Sequence, residues 1–278
     1  MAYQRILTIQ DISCVGQCSL TVALPILSAC GMETAVLPSA VLSTHTGGFQ
    51  GYTFRDLTED MPAIRDHWQR ERICFDAVYT GYLGNARQME IVETIAAACG
   101  KPGVLLFVDP AMADNGGLYP GFDEAYVAAM RALCQKADYI LPNLTEACLL
   151  AGRPYLTQYE AEDIEQLLQA TAASEKQTVI LTGVSRTEGT TGVAIYHNGR
   201  TTYYQHPKLP VSCHGTGDVY ASTFVGARLR GFSAERAAAL AADFTVRCIE
   251  NTVSDQAHWY GVKFEPLLGS LIEELKKQ

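Results

Sequence analysis

Short apolar runs alternate with helix-like stretches from one end of this chain to the other. That alternation restricts the possible folds more than any single residue does. Arg5–Gln10, Thr34–Leu42, Asp76–Thr80, Val104–Val108, Tyr139–Leu141 and Thr178–Leu181 read as strands, with Pro38 expected to interrupt the second. Between them the pattern predicts helices over Ser19–Cys30, Met61–Glu71, Ala86–Cys99, Phe122–Lys136, Thr145–Ala151 and Tyr159–Glu175. Gly31 and Gly100 supply stop signals for two of these. Strands that each feed a helix imply a mainly parallel sheet covered on both faces. Gly192–Tyr196 and Thr201–Tyr204 break the rhythm, because Asn198-Gly199 between them is a two-residue hairpin signal. Val219–Arg230, Ala234–Glu250 (capped by Ser233) and Glu265–Lys277 are the remaining predicted helices. The expectation is a three-layer α/β/α fold with a mainly parallel central sheet and a peripheral hairpin. No repeat, low-complexity tract or linker divides it, so residues 1–278 are expected to form one domain.

Composition narrows the function classes. Apolar content of 48% with 18% charged residues is globular. A formal net charge of −9 argues against nucleic acid or an anionic membrane as partner. An anionic ligand would therefore need local donors, helix N-termini or a divalent cation. No apolar run reaches the roughly 18–20 residues that span a bilayer. The segment from Met1 to Ile9 reads directly into a strand and lacks a signal peptide's layout, so a cytoplasmic location is expected. Nine cysteines are scattered without a Cys-x-x-Cys pair. Cys14 and Cys18 have no cluster to complete a zinc site, which favours thiols in a reducing compartment.

The run from His214 to Ser222 carries the most chemistry. Gly215 and Gly217 bracket Thr216, Asp218 follows at once, and a small-residue helix begins there. Backbone N–H groups and a helix N-terminus would converge on one point, where the dipole favours an anion. Asp218 beside them is a candidate base. The plain alternative is a glycine turn capped by Asp. Cys213 and His214 are adjacent in sequence, a poor arrangement for a nucleophilic pair.

Ligands of open parallel sheets bind beyond the carboxyl ends of the strands. The polar residues gather there: Asp11, Ser43 to Gly48 with His45 and Thr46, Gly81 to Gly84 with Tyr82, Asp109 to Asp114, Asn143 with Glu146, and Thr182 with Gly183. Asn143 and Glu146, three apart at a strand-to-helix junction, could face one point. Hard oxygen ligands of this kind suit Mg²⁺, and a helix cap is the competing reading. Asp109 and Asp114 flank a proline loop, where turn chemistry is the competing reading. His45 would either contact substrate or order its own loop, and Tyr82 could stack on a flat ring.

In this order the blocks resemble the ribokinase superfamily, and within it the pyridoxal kinases. They are Ile9-Gln10 followed by a polar residue, Ser43-Thr44-His45-Thr46-Gly47, Thr80-Gly81-Tyr82-Leu83-Gly84, Val108-Asp109-Pro110 with Asp114, Pro142-Asn143-x-x-Glu146, and Gly215-Thr216-Gly217-Asp218. The resemblance implies a ribokinase-like fold and ATP-dependent phosphorylation of the 5′-hydroxymethyl group of a vitamin B6 form. It implies Asp218 as the base and Gly215, Thr216 and Gly217 as the anion hole, with Gly217 also toward the nucleotide. Asp11, His45, Thr46 and Tyr82 would lie toward the ring. Asp109, Asp114, Asn143, Glu146 and Thr182 would lie toward ATP, with Asp114 and Glu146 toward Mg²⁺. A homodimer and help from K⁺ are further implications.

Asp11 departs from the family's usual serine, which puts the acceptor ring in question. A hydroxymethylpyrimidine kinase is the nearest rival, although His45 stands where a ring-binding Gln would be expected. A sugar kinase would want more carboxylate and Asn in the first loop. A dehydrogenase would need Gly-x-Gly-x-x-Gly after the first strand, and no Walker loop is present. A B6 carrier or sensor would bind without turnover and would have no need for Asp218.

Overall fold

The computed structural model of the chain describes residues 3–211 and 213–277, so Met1 and Ala2 of the N-terminal segment lie outside it. Among the described residues the strands are β1 (Arg5–Ser13), β2 (Glu33–Leu42), β3 (Phe54–Asp56), β4 (Phe75–Thr80), β5 (Gly100–Val108), β6 (Ala113–Asp114), β7 (Gly117–Leu118), β8 (Tyr139–Ile140), β9 (Thr178–Val184), β10 (Thr190–His197) and β11 (Arg200–Pro207). The α-helices are α1 (Leu20–Ala29), α2 (Met61–Arg70), α3 (Ala86–Cys99), α4 (Glu124–Cys134), α5 (Leu144–Ala151), α6 (Ala161–Thr171), α7 (Thr216–Leu229), α8 (Ala234–Thr252) and α9 (Leu268–Leu275).

Nine strands form one sheet in the order β11-β10-β9-β8-β5-β4-β1-β2-β3. Strands β2, β1, β4, β5, β8 and β9 are parallel, and β3, β10 and β11 run antiparallel to their neighbours. The chain builds outward from β1 to β2, then returns to place β4 on the other side of β1. Loops leaving β1 and β4 therefore diverge, which opens a crevice at their carboxyl ends.

Alternate residues of the central strands feed two separate cores, as a doubly covered sheet requires. Ile6, Tyr79 and Phe107 pack with α1, α7, α8 and α9, whereas Leu7, Val78 and Val108 pack with α3 to α6 and Met61 of α2. The predicted architecture is the observed one.

Three local expectations change. Pro38 does not interrupt β2: it pairs with Gln10, and the register slips by Ile12, which pairs with Val41. The edge strand β3 pairs β2 only from Ala40 onward, so no ladder bond needs the N–H that proline lacks. The first strand continues to Ser13, which puts Asp11 inside it rather than in a loop. Strands β3, β6 and β7 have no counterpart in the sequence reading, being two or three residues long and largely exposed. At the hairpin, Asn198 (φ 50°) and Gly199 (φ 72°) adopt the two positive φ values that a type I′ turn demands.

Candidate active site

The amino end of α7 lies at the crevice. Gly215 caps it with φ 77°, and a Cβ there would stand 1.9 Å from the Gln17 carbonyl oxygen, so both conformation and space require glycine. A Cβ on Gly217 would meet no atom of another element within 4 Å, so the first turn has free space beside it there. Thr216 Oγ1 donates to the Cys213 carbonyl at 3.2 Å, fixing the turn.

Asp218 sits in that first turn and faces the backbone N–H of Ser19, the N-cap residue of α1. Burial, then the charge of Asp109 and more weakly that of Asp11, push its carboxyl up to about 7 against the Ser19 N–H. A carboxylate so tuned can take a proton near neutrality. Neighbouring Cys18 is no nucleophile, since burial and the charges of Asp218 and Asp11 push its thiol far up.

Asp11 is only 5% exposed. It accepts Ser13 Oγ at 3.0 Å and faces the Ser19 hydroxyl; burial raises its pKa while the two hydroxyls oppose the rise. His45 is fully engaged within the chain. Its Nδ1 accepts the Gly47 N–H at 3.0 Å, so the proton is assigned to Nε2, which donates to the Tyr260 carbonyl at 2.7 Å. Of the two roles open to it in the sequence, the geometry supports ordering the loop, and only the ring face remains for a ligand. Thr46 is exposed on the same loop. Tyr82 stacks on Phe122 with centroids 5.6 Å apart, and burial, then the charge of Asp11, push its phenol up to about 12, which keeps it a donor.

A second group surrounds the end of β5. Burial and the Glu146 charge push Asp109 up to about 8, while the Ala111 N–H bonds it at 3.2 Å. Glu146 is 2% exposed. Its Oε1 accepts Met112 N–H at 2.9 Å and Ala113 N–H at 3.4 Å, and its Oε2 accepts Asn143 N–H at 2.9 Å. Asn143 accepts the Glu146 N–H at 3.0 Å and donates to the Ala113 carbonyl at 2.7 Å. Together they cap α5 and clamp the loop that follows Asp109. Burial still pushes Glu146 up to about 7.

Asp114 and Glu146, the expected metal pair, are held in different ways. Glu146 spends its oxygens on three N–H groups inside the protein, and exposed Asp114 is bonded by Asn115 through its N–H at 2.8 Å and its Nδ2 at 3.1 Å. These bonds suit Glu146 to supporting the loop around a metal site from within the protein. No cluster of three His, Cys, Asp or Glu groups set to hold a metal occurs among the described residues. Mg²⁺ needs only one or two carboxylates when phosphates complete its shell, so Asp109 and Asp114 still fit. Thr182 lies at the end of β9, bridged to Asn143, with its N–H on the Pro142 carbonyl at 2.9 Å.

Tyr119 joins the two groups and was not legible in the sequence. Tyr119 is 38% exposed, yet partial desolvation of its hydroxyl, then the charges of Glu146, Asp114, Asp109 and Asp218, raise its phenol pKa, so one side chain lies near four carboxylates. It stands in a run of glycines and prolines that reads only as loop. Phe122, the stacking partner of Tyr82, carries no sequence signal beyond the start of a helix.

A doubly wound sheet with a glycine-capped helix N-terminus and an adjoining carboxylate at its crevice defines a phosphotransferase of the ribokinase-like class acting on an alcohol. Residues 30–262 match the family model described as phosphomethylpyrimidine kinase, and the chain belongs to that family. It is similar to pyridoxal kinase PdxY of Granulibacter bethesdensis, at 30% identity over 89% of this chain and 90% of that protein. Among solved structures it is similar to pyridoxal kinase from Lactobacillus plantarum (34% identity, TM-score 0.91, 100% of this chain and 99% of that one). A Bacteroides thetaiotaomicron protein, provisionally described as a phosphomethylpyrimidine kinase and crystallised with pyridoxal, is also similar (36% identity, TM-score 0.89, 99% and 96% covered).

Proposed function

We propose that this chain, as a single kinase domain over residues 1–278, transfers the γ-phosphoryl group of ATP to the 5′-hydroxymethyl group of pyridoxal, pyridoxine or pyridoxamine. The observation that carries the reading is Asp218 beside the Gly215–Gly217 turn at the carboxyl ends of β1 and β4. The acceptor oxygen attacks the γ-phosphorus, the bond to the bridging oxygen of ADP breaks, and Asp218 takes the hydroxyl proton. The N–H groups of the turn stabilise the charge on the migrating phosphoryl. Thr182, Asn143 and Asp109 lie toward the nucleotide. Mg²⁺, held by Asp114 and Asp109 with phosphate oxygens, would supply charge neutralisation, and Glu146 holds the loop that carries both carboxylates. K⁺ stimulation belongs to the same reading.

On the acceptor side, Tyr82 and Phe122 offer a ring face, Asp11 a buried carboxylate, and Thr46 a hydroxyl positioned by His45. A reducing, cytoplasmic setting belongs to the same reading; no helix among the described residues is long and apolar enough to cross a membrane. A homodimer is the proposed assembly.

The family description favours one second reading, a pyrimidine alcohol as acceptor. A panel of the three vitamers and hydroxymethylpyrimidine, with Mg²⁺-ATP, separates them by ADP release and by the mass of the product. Vitamer 5′-phosphates are expected. Turnover of the pyrimidine alone would replace the reading with its rival, and binding without turnover would make the protein a carrier.

A further inference from the structure

Beneath Asp218, on the α7 side of the sheet, three polar side chains come together that the reaction as described does not use. Thr8 of β1 pairs with Tyr79 of β4, and Gln10, two residues after Thr8, shares that face. Gln10 Nε2 donates to Thr8 Oγ1 at 2.8 Å, while Gln10 Oε1 is buried without a partner. The same Oε1 lies 2.6 Å from where a Cβ on Gly81 would stand, so glycine there makes room for the amide. Ser222 follows Asp218 by one turn of α7, on the same helix face. Tyr79 and Ser222 are both 0% exposed. The Tyr79 hydroxyl meets the Ser222 and Gln10 side chains, yet neither hydroxyl reaches full hydrogen-bond geometry. Burial, then the charges of Asp109 and Asp218, push the Tyr79 phenol well above its ordinary range, so it remains a neutral donor beside two acids. Unpaired polar atoms in a core are destabilising, and three of them are grouped here.

We propose that Tyr79, Ser222 and Gln10 form a buried network that orients the Asp218 carboxylate and favours its ionised form from the sheet side, with Tyr79 as a positioning residue for phosphoryl transfer. The proposal rests on the Asp218 reading given above. Gln10 Oε1 can only accept, so it draws a proton from one hydroxyl and turns the remaining donor toward Asp218, directly or through a water. The other groups facing Asp218 are the Ser19 N–H from α1, Asp11 from β1, Asp109 from β5, and the neutral Cys18 and Tyr119. Both carboxylates oppose ionisation of Asp218, whereas the Ser19 N–H favours it. The network adds donors on the side where the sheet would otherwise be apolar.

Tyr79→Phe removes one oxygen and keeps the ring in the core. The test compares pH profiles of kcat/KM for vitamer phosphorylation in the wild type, Tyr79→Phe and Ser222→Ala. Losing a donor to the anion raises the pKa of the base, so the acid limb moves to higher pH, by about one unit in Tyr79→Phe. Activity then falls about 5–10-fold at pH 6.5, converges with the wild type above pH 8.5, and leaves the vitamer KM within about twofold. Ser222→Ala moves the limb in the same direction by less, and it carries the prediction alone if Tyr79→Phe does not fold. A merely structural hydroxyl gives profiles that superimpose on the wild type or drop equally at every pH, with unchanged or higher thermal stability; that outcome overturns the network while leaving the kinase reading intact. A wild type that phosphorylates no vitamer removes both.

Discussion

The Asp218 carboxylate faces the backbone N–H of Ser19, and Ser19 presents it from φ 53°, ψ −127°, a conformation that side chains rarely adopt. The pair brings the amino end of α7 up to that of α1 at the crevice. Backbone strain is thus stored at the residue that faces Asp218.

A stability comparison at this position should reverse the ordinary order of alanine and glycine. Both Ser19→Ala and Ser19→Gly lose the hydroxyl that faces Asp11, but only glycine relaxes the strain. Chemical denaturation should find Ser19→Gly more stable than Ser19→Ala by about 1–2 kcal/mol. Equal stability, or alanine ahead, would mean that Ser19 is not strained.

Gly215 admits no side chain. Gly215→Ala would drive a Cβ against the Gln17 carbonyl at a left-handed φ, displacing the turn that carries the donor groups. Expected are a loss of about 2–3 kcal/mol in stability and at least a 10²-fold drop in kcat. Wild-type kcat in this variant would show that the turn's amides do not act on the phosphoryl group.

Stability should carry the imprint of Asp218. Its folded-state pKa of about 7 lies above the ordinary 3.8, so between those values the native state binds a proton that the unfolded chain has released. Stability contributed by that proton is present in acid and lost as pH rises through about 7. Asp109 and Glu146, raised to about 8 and about 7, act with the same sign. Asp218→Asn should shrink the excess of Tm at pH 6 over Tm at pH 8 by about 2–4 °C in ligand-free protein. An unaltered gap would argue that Asp218 titrates at its ordinary pKa.

Much of this was legible in the sequence, for identifiable reasons. Alternating apolar runs dictated the doubly wound sheet, Asn198-Gly199 the edge hairpin, and the glycines around Thr216 the capped start of α7. The Asn143 and Glu146 spacing was equally compatible with a helix cap and with metal ligation. Only coordinates reveal that Glu146 spends its oxygens on three backbone N–H groups. Tyr119 and Tyr79 escaped notice because a loop tyrosine and a core-strand tyrosine carry no local pattern. Their roles come from carboxylates brought near by other elements. Pro38 misled because a proline in a strand reads as a break, whereas a register slip and a short edge partner accommodate it here.

Asp11 should decide the ring. Replacing this buried carboxylate by serine, Asp11→Ser, should change the relative kcat/KM among pyridoxal, pyridoxine, pyridoxamine and hydroxymethylpyrimidine by at least about tenfold for one pair, since buried polar contacts discriminate strongly. Identical ratios would place Asp11 outside ring recognition.

Steady-state kinetics of Asp218→Asn with pyridoxal and Mg²⁺-ATP addresses the base itself. A proton acceptor at this position predicts a kcat about 10³-fold below the wild type, with both KM values within about threefold. A variant that turns over at the wild-type rate would contradict it.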